Sequence, residues 1–177
     1  MLINHNTKQY WWGPPRTGSR MVSLILKDNG WREVISHHGM EVIDGYQLWI
    51  SVRNPYERVI SMWKNSNSDF HHWITTNKYF ESPTSEVNLI KKYNIPFNTI
   101  RCESLKEELD RLNVVYREDL LDRLNKGVEP WRIKSPKMEW TWDEDNVEIV
   151  WEVLNEYFKL FGYQKNSWKS DINNIKG

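Results

Sequence analysis

Gln9-Tyr10-Trp11-Trp12-Gly13-Pro14-Pro15-Arg16-Thr17-Gly18-Ser19-Arg20, running directly into Met21-Val22-Ser23-Leu24-Ile25-Leu26, decides how this chain folds. Tyr10 to Gly13 reads as a short buried strand, and the glycine and two prolines that follow end it. Thr17 to about Asn29 reads as a helix with Met21, Val22, Leu24, Ile25 and Leu26 as its apolar set and Asn29-Gly30 as its stop. Between the two lies a tight loop rich in hydrogen-bond donors. A P-loop-like strand-loop-helix unit of this kind brings backbone N–H groups and the positive end of a helix dipole to one point, which suits a phosphate or sulfate. Arg16, Thr17, Ser19 and Arg20 add side-chain donors and charge there. The loop lacks the Gly-x-x-x-x-Gly-Lys-Ser/Thr pattern of nucleoside triphosphate binders. It is no cysteine phosphatase loop either, because the single cysteine, Cys102, lies far downstream.

Working outward, strand and helix signals alternate. Glu33 to His37 reads as a short strand, and Gln47 to Val52 as a strand buried on both faces. Pro55 sits where proline starts a helix, and Tyr56, Val59, Ile60 and Trp63 then follow a helical period. Asp69 to Thr76 is ambiguous between a helical turn and irregular chain. Ser85 to Tyr93, capped by Thr84 or Ser85, reads as a helix; Phe97 to Cys102 reads as a strand; Leu105 to Leu112 and Leu120 to Asn125 read as helices. Asp143 to Leu160 is a long amphipathic helix with an acidic first turn, ended by Gly162. This alternation predicts an α/β fold with a central parallel sheet flanked by helices. In such sheets ligands sit at the carboxyl ends of the strands, where the first loop already lies.

A length of 177 residues fits one domain over 1–177, with a core of about 8–163 and a tail of 164–177. Lysine plus arginine equals aspartate plus glutamate, at 24 each, so an anion site must be a local concentration of charge, and a nucleic-acid partner is not expected. One cysteine excludes an internal disulfide framework and suits a reducing, cytoplasmic compartment. Neither a signal peptide nor a membrane-spanning run is seen. The 11 tryptophans read first as packing residues, since tryptophan contributes heavily to ordinary cores.

A second motif is Ser51-Val52-Arg53-Asn54-Pro55-Tyr56-Glu57-Arg58-Val59-Ile60-Ser61. Arg53 falls at the carboxyl end of the buried strand, and Ser61 lies two helical turns on. A guanidinium fork from the strand end and a hydroxyl from the helix can grip one phosphate from two sides. Taken alone, the motif is better explained by Arg53 pairing with an acidic neighbour and Ser61 as a surface hydroxyl.

Together the two motifs resemble the sulfotransferase family that uses 3′-phosphoadenosine 5′-phosphosulfate (PAPS), in its short carbohydrate-type branch. Pro15-Arg16-Thr17-Gly18-Ser19-Arg20 is similar to that family's 5′-phosphosulfate loop, and Arg53-Asn54-Pro55 with Ser61 to its 3′-phosphate motif. Thr99-Ile100-Arg101-Cys102-Glu103-Ser104-Leu105 is similar to its strand ending in Arg-Tyr-Glu-Asp/Asn-Leu. Tyr157-Phe158-Lys159-Leu160-Phe161-Gly162-Tyr163 is similar to its closing Asp-Phe-x-x-Phe-Gly-Tyr, with Tyr157 in place of aspartate. The resemblance spans residues 10–163, in the family's order.

The resemblance implies transfer of a sulfuryl group from PAPS to a hydroxyl acceptor, a carbohydrate by branch, leaving 3′,5′-adenosine bisphosphate (PAP) and needing no metal. It implies that Arg16, Thr17, Gly18, Ser19 and Arg20 hold the 5′-phosphosulfate, and Arg53 and Ser61 the 3′-phosphate. Arg16 stands where many members have lysine; arginine keeps its proton, so its role is electrostatic. His38, His37 and Glu33 remain open as the general base, with His38 in the register the family favours; an imidazole titrates near neutrality. Phe70-His71-His72-Trp73 and the segment from Trp131 to Trp142 mix aromatics and cations that suit an anionic sugar, and Arg132, Lys134, Ser135 and Lys137 are candidates for a closing loop. Two other readings stay open: a nucleotide-binding phosphoryl transferase or kinase, and a non-catalytic PAP- or glycan-binding module.

Overall fold

The computed structural model describes residues 1–34, 40–64, 66, 68–77, 81–117 and 142–170. A five-stranded sheet organises them: β1 (Leu2–Asn4), β2 (Gln9–Trp12), β3 (Arg32–Glu33), β4 (Gln47–Val52) and β5 (Phe97–Arg101), in the order β3-β1-β2-β4-β5. β2, β4 and β5 pair in parallel, with Trp12 opposite Ile50 and Val52 opposite Arg101. β1 is antiparallel to both of its neighbours, β2 and β3. The sheet is therefore mixed, which corrects the expectation of a parallel sheet, and β1 is its one reversed strand. β3 runs in the direction of β2 because β1 lies reversed between them.

β1 exists because the chain turns back on itself at once. Asn4 Oδ1 accepts the N–H groups of Asn6 (3.0 Å) and Thr7 (3.3 Å), an Asx turn, and Lys8 takes a positive φ of 51° before β2 begins. A hairpin that short allows antiparallel pairing only, whereas β2 to β4 needs a crossover and is parallel.

Six helices flank the sheet among the described residues: α1 (Ser19–Asp28), α2 (Pro55–Trp63), α3 (Phe70–Thr76), α4 (Ser82–Tyr93), α5 (Leu105–Arg111) and α6 (Glu144–Phe161). Strand alternation divides them. Ile3, Tyr10, Leu48, Ile50 and Val52 face a core with residues of α2, α3, α4 and α6, including Tyr56, Trp63, Trp73, Val87, Leu154 and Phe158. Leu2, Trp11, Trp49 and Ile100 face the other side, against Val22 and Leu26 of α1, Trp31 and Leu112. Trp11, Trp31, Trp49, Trp63 and Trp73 are buried, as the packing reading expected.

Local signals explain most helix limits. Asn54 caps α2 by accepting the Tyr56 N–H at 3.0 Å, with Pro55 in the first turn; Asp69 caps α3 through His72 N–H at 3.0 Å; Asp143 caps α6 through Asn146 N–H at 2.7 Å. The ambiguous stretch from Asp69 to Thr76 is thus a capped helix. α4 begins at Ser82 with Pro83 in its first turn, three residues before the expected start, and without the cap expected at Thr84 or Ser85. The Thr84 hydroxyl instead donates to the Val153 carbonyl at 3.3 Å, beside the non-helical φ/ψ of Leu154 that kinks α6. Leu24, one of the apolar set expected for α1, is 41% exposed. The predicted helix at Leu120 to Asn125 and the end of the tail lie outside the described residues.

Candidate functional site

The carboxyl ends of β2, β4 and β5 are neighbours, and each delivers one of the stretches singled out in the sequence. β2 opens into the 13–18 loop, β4 into Arg53-Asn54, and β5 into Cys102-Glu103.

The loop turns sharply at two residues in the left-handed region, Arg16 (φ 67°) and Gly18 (φ 70°). Thr17 between them is 1% exposed, and its hydroxyl donates to the Pro14 carbonyl at 2.7 Å. Thr17 therefore staples the loop from within. Gly13 admits no side chain, since a Cβ would stand 2.2 Å from the Trp11 ring. At Gly18 a Cβ would lie 3.0 Å from Cys102 Sγ, which places the loop against the end of β5. Gly18 is also the N-cap of α1, and the first intrahelical bonds run from the Met21 (3.0 Å) and Val22 (3.2 Å) N–H groups to its carbonyl. The N–H groups of Ser19 and Arg20 thus precede the helical ladder, as at any helix start, and are available to an anion. Arg16 is half-buried, Ser19 is half-buried and Arg20 is exposed.

Arg53 leaves β4 with its side chain 28% exposed. Its Nε donates to Glu57 Oε2 at 2.8 Å, one helical turn on, so the acidic-neighbour pairing foreseen for Arg53 is present. Its Nη groups hold no hydrogen bond among the described residues. Burial pushes against the charge, but Glu57, Cys102 and Glu103 outweigh it and hold the guanidinium above its ordinary pKa. Ser61 lies on the same face of α2 and is half-buried. The Cys102 thiol is pushed up, first by burial, with Arg53 opposing and Glu103 and Glu57 adding to the shift.

Arg58 belongs to the same motif and points the other way. It is fully buried, with Nη1 and Nη2 forked onto Glu86 of α4 at 2.7 and 2.5 Å. Its Nε donates to the Pro15 carbonyl at 3.2 Å, and its guanidinium lies 5.4 Å from the centre of the Tyr157 ring. The Tyr157 hydroxyl sits 3.4 Å from both the N–H and the carbonyl of Arg53, and burial pushes its pKa up to about 12, against Arg58. Arg58 and Tyr157 thus tie the loop after β2 to the turn after β4.

The two remaining motifs interlock with these. Arg101 Nη2 donates to the Phe161 carbonyl at 2.5 Å, and its guanidinium stacks 4.7 Å from the Tyr163 ring. The Tyr163 hydroxyl donates to Glu103 Oε2 at 3.1 Å, and Glu103 Oε1 accepts the Asn54 N–H at the start of α2. Tyr56 Oη donates to the Lys165 carbonyl at 2.7 Å. The α2 N-terminus is therefore covered by Glu103 and by the chain following α6, which leaves the loop, Arg53 and the outer stripe of α2 beside it. Sequence reasoning did not find this inward role for Arg58; its one signal was an arginine set among Tyr56, Val59, Ile60, Met62 and Trp63 on a helix buried nearly all round.

Of the three candidate bases, His37 and His38 lie outside the described residues. Glu33 is exposed on β3, paired with Lys27 at 2.9 Å, and that hydrogen bond holds its carboxyl below the usual range. A carboxylate so held is a poor proton acceptor, and β1 separates β3 from β2. His71 and His72 are exposed, and His71 Nδ1 bonds Asn146 Oδ1 at 2.9 Å near the start of α6. Arg132, Lys134, Ser135 and Lys137 lie outside the described residues. Among the described residues no helix is long and apolar enough to cross a membrane.

Comparison of the chain with protein-family models, with curated proteins and with solved structures found no match in any of the three.

Proposed function

We propose that this protein is a PAPS-dependent sulfotransferase acting on a hydroxyl acceptor, with a carbohydrate as the acceptor class. One observation carries the reading: four sequence-distant stretches, around Arg16, Arg53, Arg101 and Tyr157, join at a single sheet edge through Arg58–Pro15, Tyr157–Arg53 and Arg101–Phe161. A ligand with phosphates at both ends needs two anion sites at a fixed spacing, and those links fix the spacing of the loop and Arg53.

The residues suit the donor. Loop and helix-start N–H groups with Arg16 and Arg20 would hold the 5′-phosphosulfate, and the Arg53 guanidinium with the Ser61 hydroxyl the 3′-phosphate. In the reaction the acceptor oxygen bonds to sulfur as the sulfur–oxygen bond to the departing phosphate breaks, and the acceptor proton passes to a base. Arg16 stabilises the charge that grows on the leaving phosphate. His38 is the proposed base, with His37 next to it. The proposal needs no metal, since the cations of the loop supply the positive charge.

Arg53→Ala tests the two-point clamp. Losing a charge-assisted contact should weaken PAP by roughly 10- to 100-fold and leave adenosine 5′-phosphate within about twofold. Equal weakening of both nucleotides, or of neither, contradicts the assignment of Arg53 to the 3′-phosphate.

A further inference from the structure

α2 is buried on nearly every side. Its half-buried positions form one stripe, with Arg53 leading in, then Glu57, Ser61 and Lys64, at helical spacings of four and three. A carboxylate therefore stands between the two groups that would grip the 3′-phosphate. It is not idle, since Glu57 Oε2 takes the Arg53 Nε–H at 2.8 Å. Nε and one Nη form the side of the guanidinium that matches a phosphate with two parallel bonds. With Nε held by Glu57, that side is closed and only the Nη–Nη side of the guanidinium stays open.

We propose that Glu57 is a built-in stand-in for the ligand phosphate, which occupies Arg53 in the free protein and is displaced when the 3′-phosphate arrives. The inference rests on the sulfotransferase reading of the site and adds a specificity-determining residue to it. Three observations carry it. Glu57 and Arg53 are equally exposed, at 28% each, so solvent and ligand reach the pair. The Nη groups carry no other bond among the described residues, so the guanidinium can turn from one anion to another. Glu103, the other carboxylate nearby, is fixed by the Asn54 N–H and the Tyr163 hydroxyl, so of these two acids Glu57 is the one able to leave. A phosphate beside an undisplaced Glu57 would set two anions on one cation, and an exchange avoids that. Glu57 thereby raises the threshold for occupying Arg53, and an anion must out-compete a tethered carboxylate to do so.

The test is calorimetric titration of the full chain and of Glu57→Gln with PAP and with adenosine 5′-phosphate. Glutamine keeps the shape and removes the charge. Glu57→Gln should bind PAP about three- to fivefold tighter, with adenosine 5′-phosphate unchanged. Unchanged or weaker PAP binding overturns the stand-in role while leaving the sulfotransferase reading in place, because wild type still binds PAP. Equal tightening of both nucleotides also overturns it, since that reports a general field rather than exchange at Arg53. A wild-type protein that binds no PAP overturns both.

Discussion

Gly18 is where backbone geometry and the candidate site meet most closely. Its φ of 70° is one that side-chain-bearing residues adopt at a cost, and a Cβ there would press on Cys102 Sγ at 3.0 Å. Gly18→Ala should therefore lower stability by roughly 1–2 kcal/mol, read as the urea midpoint. Part of that loss should return in Gly18→Ala combined with Cys102→Ala, which removes the sulfur. Strict additivity of the two substitutions would contradict the contact. Arg16 also adopts a positive φ, at 67°, without glycine's freedom, so the loop holds it there through the Thr17–Pro14 staple and the Arg58 bond to Pro15. Nothing in the residue string Pro15-Arg16-Thr17 announces that Thr17 faces inward. The motif names the donors but does not say which of them the loop uses on itself.

Among elements, the strut that matters runs from α2 to α4 and the loop. Arg58 and Glu86 are 28 residues apart, and their pairing depends on how α4 packs, which no local pattern encodes. Removing one partner of a buried pair leaves the other uncompensated and costs about 3–5 kcal/mol, whereas replacing both with apolar residues can be near neutral. Arg58→Met should therefore be strongly destabilising by urea melt. Arg58→Met with Glu86→Leu should recover most of that stability and still bind PAP more weakly than wild type, because the Pro15 anchor stays lost. Full recovery of PAP binding in the double variant would show that Arg58 serves folding alone. The elements themselves were legible to different degrees. β4 was clear because Leu48-Trp49-Ile50-Ser51-Val52 is buried on both faces, and α6 because a capping aspartate, a long apolar face and a terminal glycine agree. β1 was invisible: it has three residues, too few for any period to show, and it exists through its hairpin with β2. The start of α4 is hard to place from sequence because the helix-opening pair Ser82-Pro83 competes with the hydroxyls of Thr84 and Ser85.

At the scale of the whole molecule, the sheet order accounts for the convergence. The parallel run β2-β4-β5 puts three strand ends side by side, and α6 with the residues after it brings Tyr157 and Tyr163 against Arg53 and Glu103. The motifs were visible in the sequence as short strings. Their mutual contacts were not, since those depend on the crossovers that order the strands. The reversed β1 extends the sheet beyond β2 and leaves that edge unaltered. The nucleotide proposed for these strand ends carries phosphates at its 3′ and 5′ positions, and calorimetric titration of the wild-type chain with PAP against ATP plus magnesium separates it from a nucleoside triphosphate. PAP should bind about tenfold or more tighter than ATP with magnesium; equal affinity, or a preference for ATP with magnesium, would contradict the proposed function.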